Sequence, residues 1–541
     1  MSRQRIVDMA RDCLRASPIL LAVSTAVAAQ RDFRSPTGCN GDAALHSTTR
    51  AIHADSQKGT RGLRNSPFDH SLDVAAPIGV STTFEAMAGG PCYSRAAHPT
   101  RERCEAVLAS LEGPAAEALL YSSGQAATHA ALHHLLADRG ARRVLISGGY
   151  HGTHQALDQL QALKAGQPPG AHAAHAAAAL GFEIVQLPSE AELLAWLSEP
   201  WSLKKLDRND DLVRAGDIMW LETPKNPACE VADVAIYRLA AKEAIRRAAL
   251  RKEAKNGSTA GMKSEANKAA AAAASHVFVV VDSTFAPPPA QVGLLNPKTA
   301  ADLVMHSTTK SLAGHSDALG GALLAPKGAL LSSSGGQASD QRTVYDALRT
   351  QRAALGSVPG SLETWLLLRS LRTLHLRVER QCDTASKLAA WLDGNGDGSC
   401  SSTGSSSTGV SQISHSSAAA ATPELALKSA PELLVKVSHP SLASCASHAA
   451  ASKQMALYGG VLAIELRSLA AAKALPSRLN LFKDATSLGG VDSKAEWRWQ
   501  YDKQVPRGLV RLSIGLEDFR DLQNDLAQGI CDVEREFPPE Q

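Results

Sequence analysis

Among nine cysteines no two form a C-x-x-C pair, and their spacing follows no regular pattern. That excludes a disulfide scaffold and a zinc module and fits a reduced, cytoplasmic chain. An excess of one charge sign is missing as well: Lys and Arg total 56 against 53 Asp and Glu. Nucleic acid therefore has no basic surplus to read, and that function class is set aside. Nowhere do apolar residues run for the roughly 18 positions that crossing a bilayer demands, so no membrane role is expected. The nucleotide-binding pattern G-x-x-x-x-G-K-[ST] is absent too. No acidic or cysteine partner flanks His133, His134, His151, His154, His172 or His175 at ligand spacing. Those histidines read as structural, and no metal is expected.

What is present is a 541-residue chain, 44% hydrophobic, with formal net charge +3. It is long enough for about two to four domain-sized units. Its first 47 residues start MSRQRIVDMARDCLRASPILLAVSTAVAAQR, arginines ahead of a mild apolar run. Two readings stand for them, a plastid or mitochondrial targeting segment and a frayed extension; Asp8 and Asp12 weigh against the first. Residues 164–180, 251–275 and 393–422 are rich in Ala, Gly and Ser. They lack the larger apolar side chains that offset ordering entropy, so they read as surface loops or disorder.

The rest alternates short apolar runs with helical patterns. EALLYSS leads into GQAATHAALHHLLAD, RRVLISGG into YHGTHQALDQLQAL, and DIMWLETP into ADVAIYRLAAKEAIRRAALRK. HVFVVVDSTF is followed by ADLVMHSTTK. Continuous β-branched runs such as VFVVVD mark buried strands, and the helices between them imply crossover connections. The class is α/β with a largely parallel sheet, whose ligands sit beyond the carboxyl ends of the strands. From about residue 361 the texture changes: GSLETWLLLRSLRTLHLRVERQCDTASKLAAWL reads as one long helix. GGVLAIELRS and GLVRLSIG then read as strands of a smaller α+β domain.

The polar residues of interest fall at the strand ends. YSSGQAATHA places Ser123, Gly124 and Gln125 at a helix start, where open amides suit a phosphate. By itself this is weak, since any strand–turn–helix needs a cap and a glycine. Asp282 follows a buried strand; such an acid is a turn former or a carboxylate that holds a proton on a ring nitrogen. Lys310 sits in HSTTKSLAGHSDALGG among hydroxyls and ahead of glycines. That setting reads as a phosphate loop or as a lysine kept partly desolvated for reaction. A phosphate cradle, a buried aspartate and a lysine together fit pyridoxal 5'-phosphate better than chance.

With VSTTF, YSRAAHPTR, YSSGQAA, GGYHGTH, WLETPKNP, VVDSTFAPPP, HSTTKSLAGHSDALGG, LRSLRTLHLRV, TSLGGVDS and GLVRLSIGLED in this order, the chain resembles the Cys/Met-metabolism, or trans-sulfuration, family of pyridoxal-phosphate enzymes. That family holds cystathionine γ-synthases, γ-lyases and β-lyases and methionine γ-lyases. The likeness runs from about residue 49 to the C-terminus, broken by the inserts. WLETPKNP, GSLETWLLLRSLRTL and SLGGVDSKAEWRW look closest to a fungal and bacterial branch named only trans-sulfuration enzyme.

The resemblance implies a fold-type I, aspartate aminotransferase-like architecture. It further implies an extension over 1–47, an arm over 48–110 that reaches a neighbouring active site, a cofactor domain over 111–360 and a C-terminal domain over 361–541. A homotetramer of dimers follows, with sites shared between chains. On the matching motifs Lys310 is the lysine that attaches the cofactor, Asp282 the partner of its ring nitrogen, Tyr150 the stacking ring and Asn226 the partner of its hydroxyl. Gly124, Gln125, Ser307 and Thr309 take the phosphate, joined by Tyr93 and Arg95 of the neighbour. Arg511, helped by Ser487, clamps the substrate carboxylate. Read without the family, Arg511 is an ordinary strand arginine, Tyr150 a half-buried loop aromatic and Tyr93 with Arg95 a surface pair.

The resemblance implies a carbon–sulfur lyase acting on cystathionine or a related sulfur amino acid. Its rivals are a cystathionine γ-synthase using activated homoserine and, from another class, a weakly catalytic regulatory paralogue that binds the cofactor. Departures bear on substrate. Thr486 stands where the γ-enzymes usually carry glutamate, Ser283 where DNTF has asparagine, Ser311 where a tyrosine follows the lysine, and His98 in the NPT position.

Overall fold

Seven strands build the larger sheet: β1 Ala116–Tyr121, β2 Arg143–Ile146, β3 Glu183–Gln186, β4 Asp217–Glu222, β5 Phe278–Asp282, β6 Leu303–His306 and β7 Gly321–Pro326. The structure, a computed structural model, describes residues 47–54, 75–85, 93–165, 181–199, 211–256, 276–296, 301–330, 342–394 and 433–537. Strand order is β1-β7-β6-β5-β4-β2-β3. Neighbours from β6 to β3 pair parallel, and β7 alone runs against both of its neighbours.

Strand periodicity explains why the central strands are apolar throughout. Leu119, Val144, Ile218, Phe278 and Val280 pack on one face, while Leu120, Leu145, Met219, Val279 and Val281 pack on the other. Helices cover both faces, so neither alternate set meets water. Each such side chain contributes about 1.5–3 kcal/mol of burial free energy, enough to hold the strand ends in fixed register. The short β3 is largely exposed and escaped the sequence pattern for that reason.

A second sheet contains β8 Leu434–Ser438, β9 Val461–Leu466, β10 Lys483–Asp484, β11 Lys494–Trp497 and β12 Leu509–Ser513, in the order β10-β11-β12-β9-β8. Leu462, Ile464, Val510 and Leu512 meet Leu522, Leu526 and Ile530 of the helix Phe519–Glu536, which Asp518 caps by accepting from the Arg520 N–H. The architecture is fold-type I: a large parallel sheet with helices, and a smaller α+β unit.

One expectation needs correction. The stretch from residue 361 is two helices, Ser361–Leu371 and Leu374–Leu392, not one. Thr373 leaves helical geometry (φ −113°, ψ 11°), and the second helix turns to place Ala385, Leu388 and Leu392 on the second sheet. Continuous apolar spacing hid the break because each helix buries its own stripe. The helix Val234–Asn256 also runs into the segment expected to be a loop from 251. Residues 1–46, 166–180, 257–275 and 395–432 lie outside the described residues. Among the described residues no helix is long and apolar enough to cross a membrane.

A buried ion pair ties the first strand to its cover. Arg352 donates to Glu105 Oε1 at 2.5 Å and to the Leu120 carbonyl at 2.7 Å, while Glu105 Oε1 also accepts from the Leu120 N–H. Arg352→Ala removes the nearer of two guanidiniums from the buried Glu105 carboxylate, leaving Arg101 at 4.0 Å, so a stability loss of about 3 kcal/mol is expected in denaturant titration.

Candidate active site

Every sheet-borne candidate lies at or just past the carboxyl end of a strand, and edge strand β1 points the same way as β2–β6 because β7 runs against both of its neighbours. β1 delivers Gly124 and Gln125, β2 Tyr150, β4 Asn226, β5 Asp282, and β6 Ser307, Thr309 and Lys310. Arg511 is on β12 of the second sheet, and Ser487 lies in the loop before β11.

The residues expected at the phosphate start at a helix terminus. Ser123 caps the helix Gly124–His133 by accepting from the Ala126 N–H, leaving Gly124 and Gln125 at the open end. Gln125 donates to the Gly152 carbonyl at 2.5 Å, and its Oε1 is buried without a partner. Gly321 passes so close to the Ser123 carbonyl that a side chain there would collide with it. This is the close backbone approach for which the glycines after Lys310 are needed. Ser307 abuts Gly124, and its N–H donates to Thr284 Oγ1, which donates in turn to Asp282 Oδ1 at 2.6 Å. Thr309 is turned toward Gly320: its hydroxyl donates to the Gly320 carbonyl at 3.2 Å and accepts from the Gly320 N–H at 3.0 Å.

Asp282 is 4% exposed, and only its Oδ1 accepts hydrogen bonds, both from Thr284. Its register partner on β4 is Glu222. Both carboxyls are pushed up from their ordinary range, chiefly by burial, and the Asp282 charge raises Glu222 further. Glu222 accepts from the backbone N–H of Tyr150 at 2.6 Å and of Asn226 at 2.8 Å. Gly149, at φ +87°, lets that carboxylate lie against the chain where a side chain would clash. Glu222 thus fixes two expected site residues, and it was not among them. The signal was in WLETPKNP: an acid closing a buried strand, as Asp282 closes its neighbour.

Lys310 Nζ donates to Ser487 Oγ at 2.7 Å, and the Ser487 carbonyl accepts from Arg511 Nη2 at 3.0 Å. Ser487 adopts φ +82°, a left-handed conformation that non-glycine residues seldom hold. One residue thereby carries both the amine and the guanidinium. Arg511 is buried, and its Nη1 donates to Asn226 Oδ1 at 3.0 Å. Its register partner Glu496 binds Arg511 Nη2 through Oε2, the oxygen that also accepts from Arg498 Nη1 at 3.1 Å. Neither Glu496 nor Arg498 was expected, because the four-residue strand KAEW carries no readable alternation.

Burial, and then the Arg511 charge, pull the Lys310 amine from 10.5 down to about 8, with Glu496 opposing. In the cofactor-free chain, labelling of Lys310 by an amine-reactive reagent is expected to rise with a midpoint near pH 8. Surface lysines should follow a midpoint near their ordinary value of about 10.4. Peptide mass spectrometry across a pH series separates the two.

Tyr150 is half-exposed, tilted against His151 at a ring-centroid distance of 4.7 Å, and its hydroxyl is raised by burial and by Asp282. Tyr93 and Arg95 stand apart. Arg95 lies 5.6 Å from the Tyr93 ring centroid and donates to the Ala353 carbonyl at 2.8 Å, and neither bonds another expected site residue within the chain. One expectation fails here, since His134 does have an acidic partner four residues on, Asp138 at 2.8 Å; His154 bonds the Gly148 carbonyl. His172 and His175 lie outside the described residues.

The profile of the Cys/Met metabolism PLP-dependent enzyme family matches residues 48–166, 264–399 and 410–531, most of the chain. The chain belongs to that family. It is 26% identical over 503 residues to a cystathionine beta-lyase of Coxiella burnetii, covering 90% of this chain and 98% of that one. To a cystathionine gamma-synthase of Mycobacterium tuberculosis it is 29% identical over 499 residues, covering 89% and 96%. The crystal structure of apo CalE6, a methionine gamma lyase from Micromonospora echinospora, superposes with a TM-score of 0.60 at 29% identity, covering 90% of this chain and 99% of that one. Membership in this family makes the chain a PLP-dependent enzyme. Its residues fit the cofactor: an acid closes β5, a lysine of lowered basicity stands in the loop after β6, and an open helix terminus abuts Ser307 of that same loop.

Proposed function

We propose that this PLP-dependent enzyme cleaves a carbon–sulfur bond of cystathionine or a related sulfur amino acid. The observation that carries the reading is Ser487, which holds the Lys310 amine and the Arg511 guanidinium on one residue. An amino acid whose carboxylate lies on Arg511 has its Cα hydrogen within the range of that amine. Bound pyridoxal 5'-phosphate supplies the electron sink that acidifies this hydrogen.

The chain's own groups divide the remaining work. Lys310 Nζ takes the proton from Cα, which its lowered basicity suits at neutral pH. Asp282 holds the proton on the cofactor's ring nitrogen, and Thr284 fixes its orientation. Tyr150 stacks on the ring and Asn226 meets its hydroxyl. Gly124, Gln125, Ser307 and Thr309 surround the phosphate, the first two through the helix terminus.

Product analysis with L-cystathionine tests the reading. Either elimination consumes one water: at Cγ it yields cysteine, 2-oxobutyrate and ammonia, and at Cβ homocysteine, pyruvate and ammonia. Intact cystathionine together with cystathionine formed from an activated homoserine and cysteine overturns the lyase in favour of the synthase. Inertness toward both leaves the regulatory paralogue, against which the retained Arg511 clamp argues.

A second copy completes the site in this proposal, bringing Tyr93 and Arg95 to the phosphate. The half-exposed Tyr93, with Ile78 and Val80 uncovered nearby on the same arm, supports it. Lys310→Ala and Arg95→Ala chains, each inactive alone, are then expected to regain partial activity on co-refolding, because a mixed dimer has one site with both residues intact. Continued inactivity of the mixture contradicts a shared site, and light scattering reads whether the assembly is a tetramer.

A further inference from the structure

Arg511 does not wait free for a substrate carboxylate, because Glu496 already occupies it. Glu496 and Arg511 face each other across β11 and β12, with side chains 3% and 4% exposed, so this is a buried pair. Taken alone, it is neutral and gives a further carboxylate no net attraction. Arg498 changes that balance. It leaves β11 at the start of the short helix Arg498–Gln500, its side chain is 5% exposed, and its Nη1 meets the same Glu496 oxygen that binds Arg511. Two guanidiniums on one carboxylate leave the trio with one net positive charge. Glu496 Oε1 and Arg498 Nε are both buried without partners, so the trio has hydrogen-bonding capacity that the protein does not use.

We infer that Arg498 is a positioning residue for substrate binding: through Glu496 it keeps the Arg511 fork cationic, so that the α-carboxylate of an amino acid is bound there. The inference rests on the assignment of Arg511 as the carboxylate clamp. Without Arg498, Glu496 neutralises Arg511 and competes with the substrate for its donors. Without both Glu496 and Arg498, Arg511 recovers its own charge. The two residues are therefore coupled with a definite sign.

The test measures the dissociation constant of L-alanine, which has the α-carboxylate and no leaving group, by calorimetry on the cofactor-loaded enzyme. Arg498→Gln is expected to weaken binding about tenfold or more, Arg498→Lys to retain most of it, and the double variant Glu496→Gln/Arg498→Gln to return within about threefold of wild type. In turnover, Arg498→Gln raises KM with little change in kcat. A double variant as weak as Arg498→Gln assigns Arg498 a structural role and overturns the inference. So does unchanged affinity in Arg498→Gln when Arg511→Met abolishes binding. If Arg511→Met itself leaves the affinity unchanged, the clamp assignment falls instead. Loss confined to an amino acid with a second, distal carboxylate places Arg498 on that group and likewise overturns the inference.

Discussion

Lys310→Ala is expected to lower turnover by about a thousandfold or more, since it removes both the covalent anchor and the base at Cα. Among the described residues the Lys310 amine has one hydrogen-bond partner, Ser487 Oγ. Truncation should therefore leave the fold intact, and an unchanged circular dichroism spectrum serves as the control. The group being removed is also costly to the folded protein. Burial and Arg511 hold the amine near 8, so the folded chain disfavours the ammonium that an unfolded chain would carry. The sign follows: below pH 8 both states are protonated and the full penalty applies, and the penalty disappears as pH rises from 8 toward the ordinary 10.5. Cofactor-free Lys310→Ala should accordingly be at least as stable as wild type at pH 7. A large fall in its melting temperature would show that Lys310 is a structural residue.

Asp282→Asn should separate stability from activity just as sharply. Burial raises the Asp282 carboxyl above its ordinary 3.8 in the cofactor-free chain. Such a group favours folding fully below pH 3.8, and that contribution is lost as pH climbs through the raised value. Once ionised, the buried acid is thus a burden, and its charge is what raises the neighbouring Glu222 carboxyl further. Asparagine keeps the size and an oxygen to accept from Thr284 but cannot ionise, so the melting temperature of cofactor-free Asp282→Asn should fall less than that of wild type as pH is raised. Catalysis goes the other way. An amide cannot balance a protonated ring nitrogen, and kcat is expected to drop by about two to three orders of magnitude. Thermal scans and steady-state rates on one preparation check both halves.

Much of the site was legible because its residues end buried strands. VFVVVD announces a strand by its β-branched run, and the residue that closes it, Asp282, is placed by that strand alone. The same logic located Gly124 and Lys310, whereas Tyr150 and Asn226 came from the resemblance alone; all four lie near the same ends of the sheet. Glu222 obeyed that logic and was passed over, although it closes β4 as Asp282 closes β5. Glu496 and Arg498 were illegible for a different reason. Their roles come from register between β11 and β12, and four residues of mixed charge do not reveal a strand. The break at Arg372–Thr373 was hidden because both helices present apolar residues at the same spacing: Leu374, Val378 and Cys382 continue the core of the first helix before Ala385, Leu388 and Leu392 reach that of the second sheet.

The central claim is that Lys310 is held for covalent work on the cofactor. Borohydride reduction of the loaded wild-type enzyme, followed by digestion and mass spectrometry, tests it most directly. The peptide that spans HSTTKSLAGHSDALGG should carry the added pyridoxyl mass on Lys310. Finding that mass on another lysine, such as Lys225 or Lys494, with Lys310 unmodified would contradict the account.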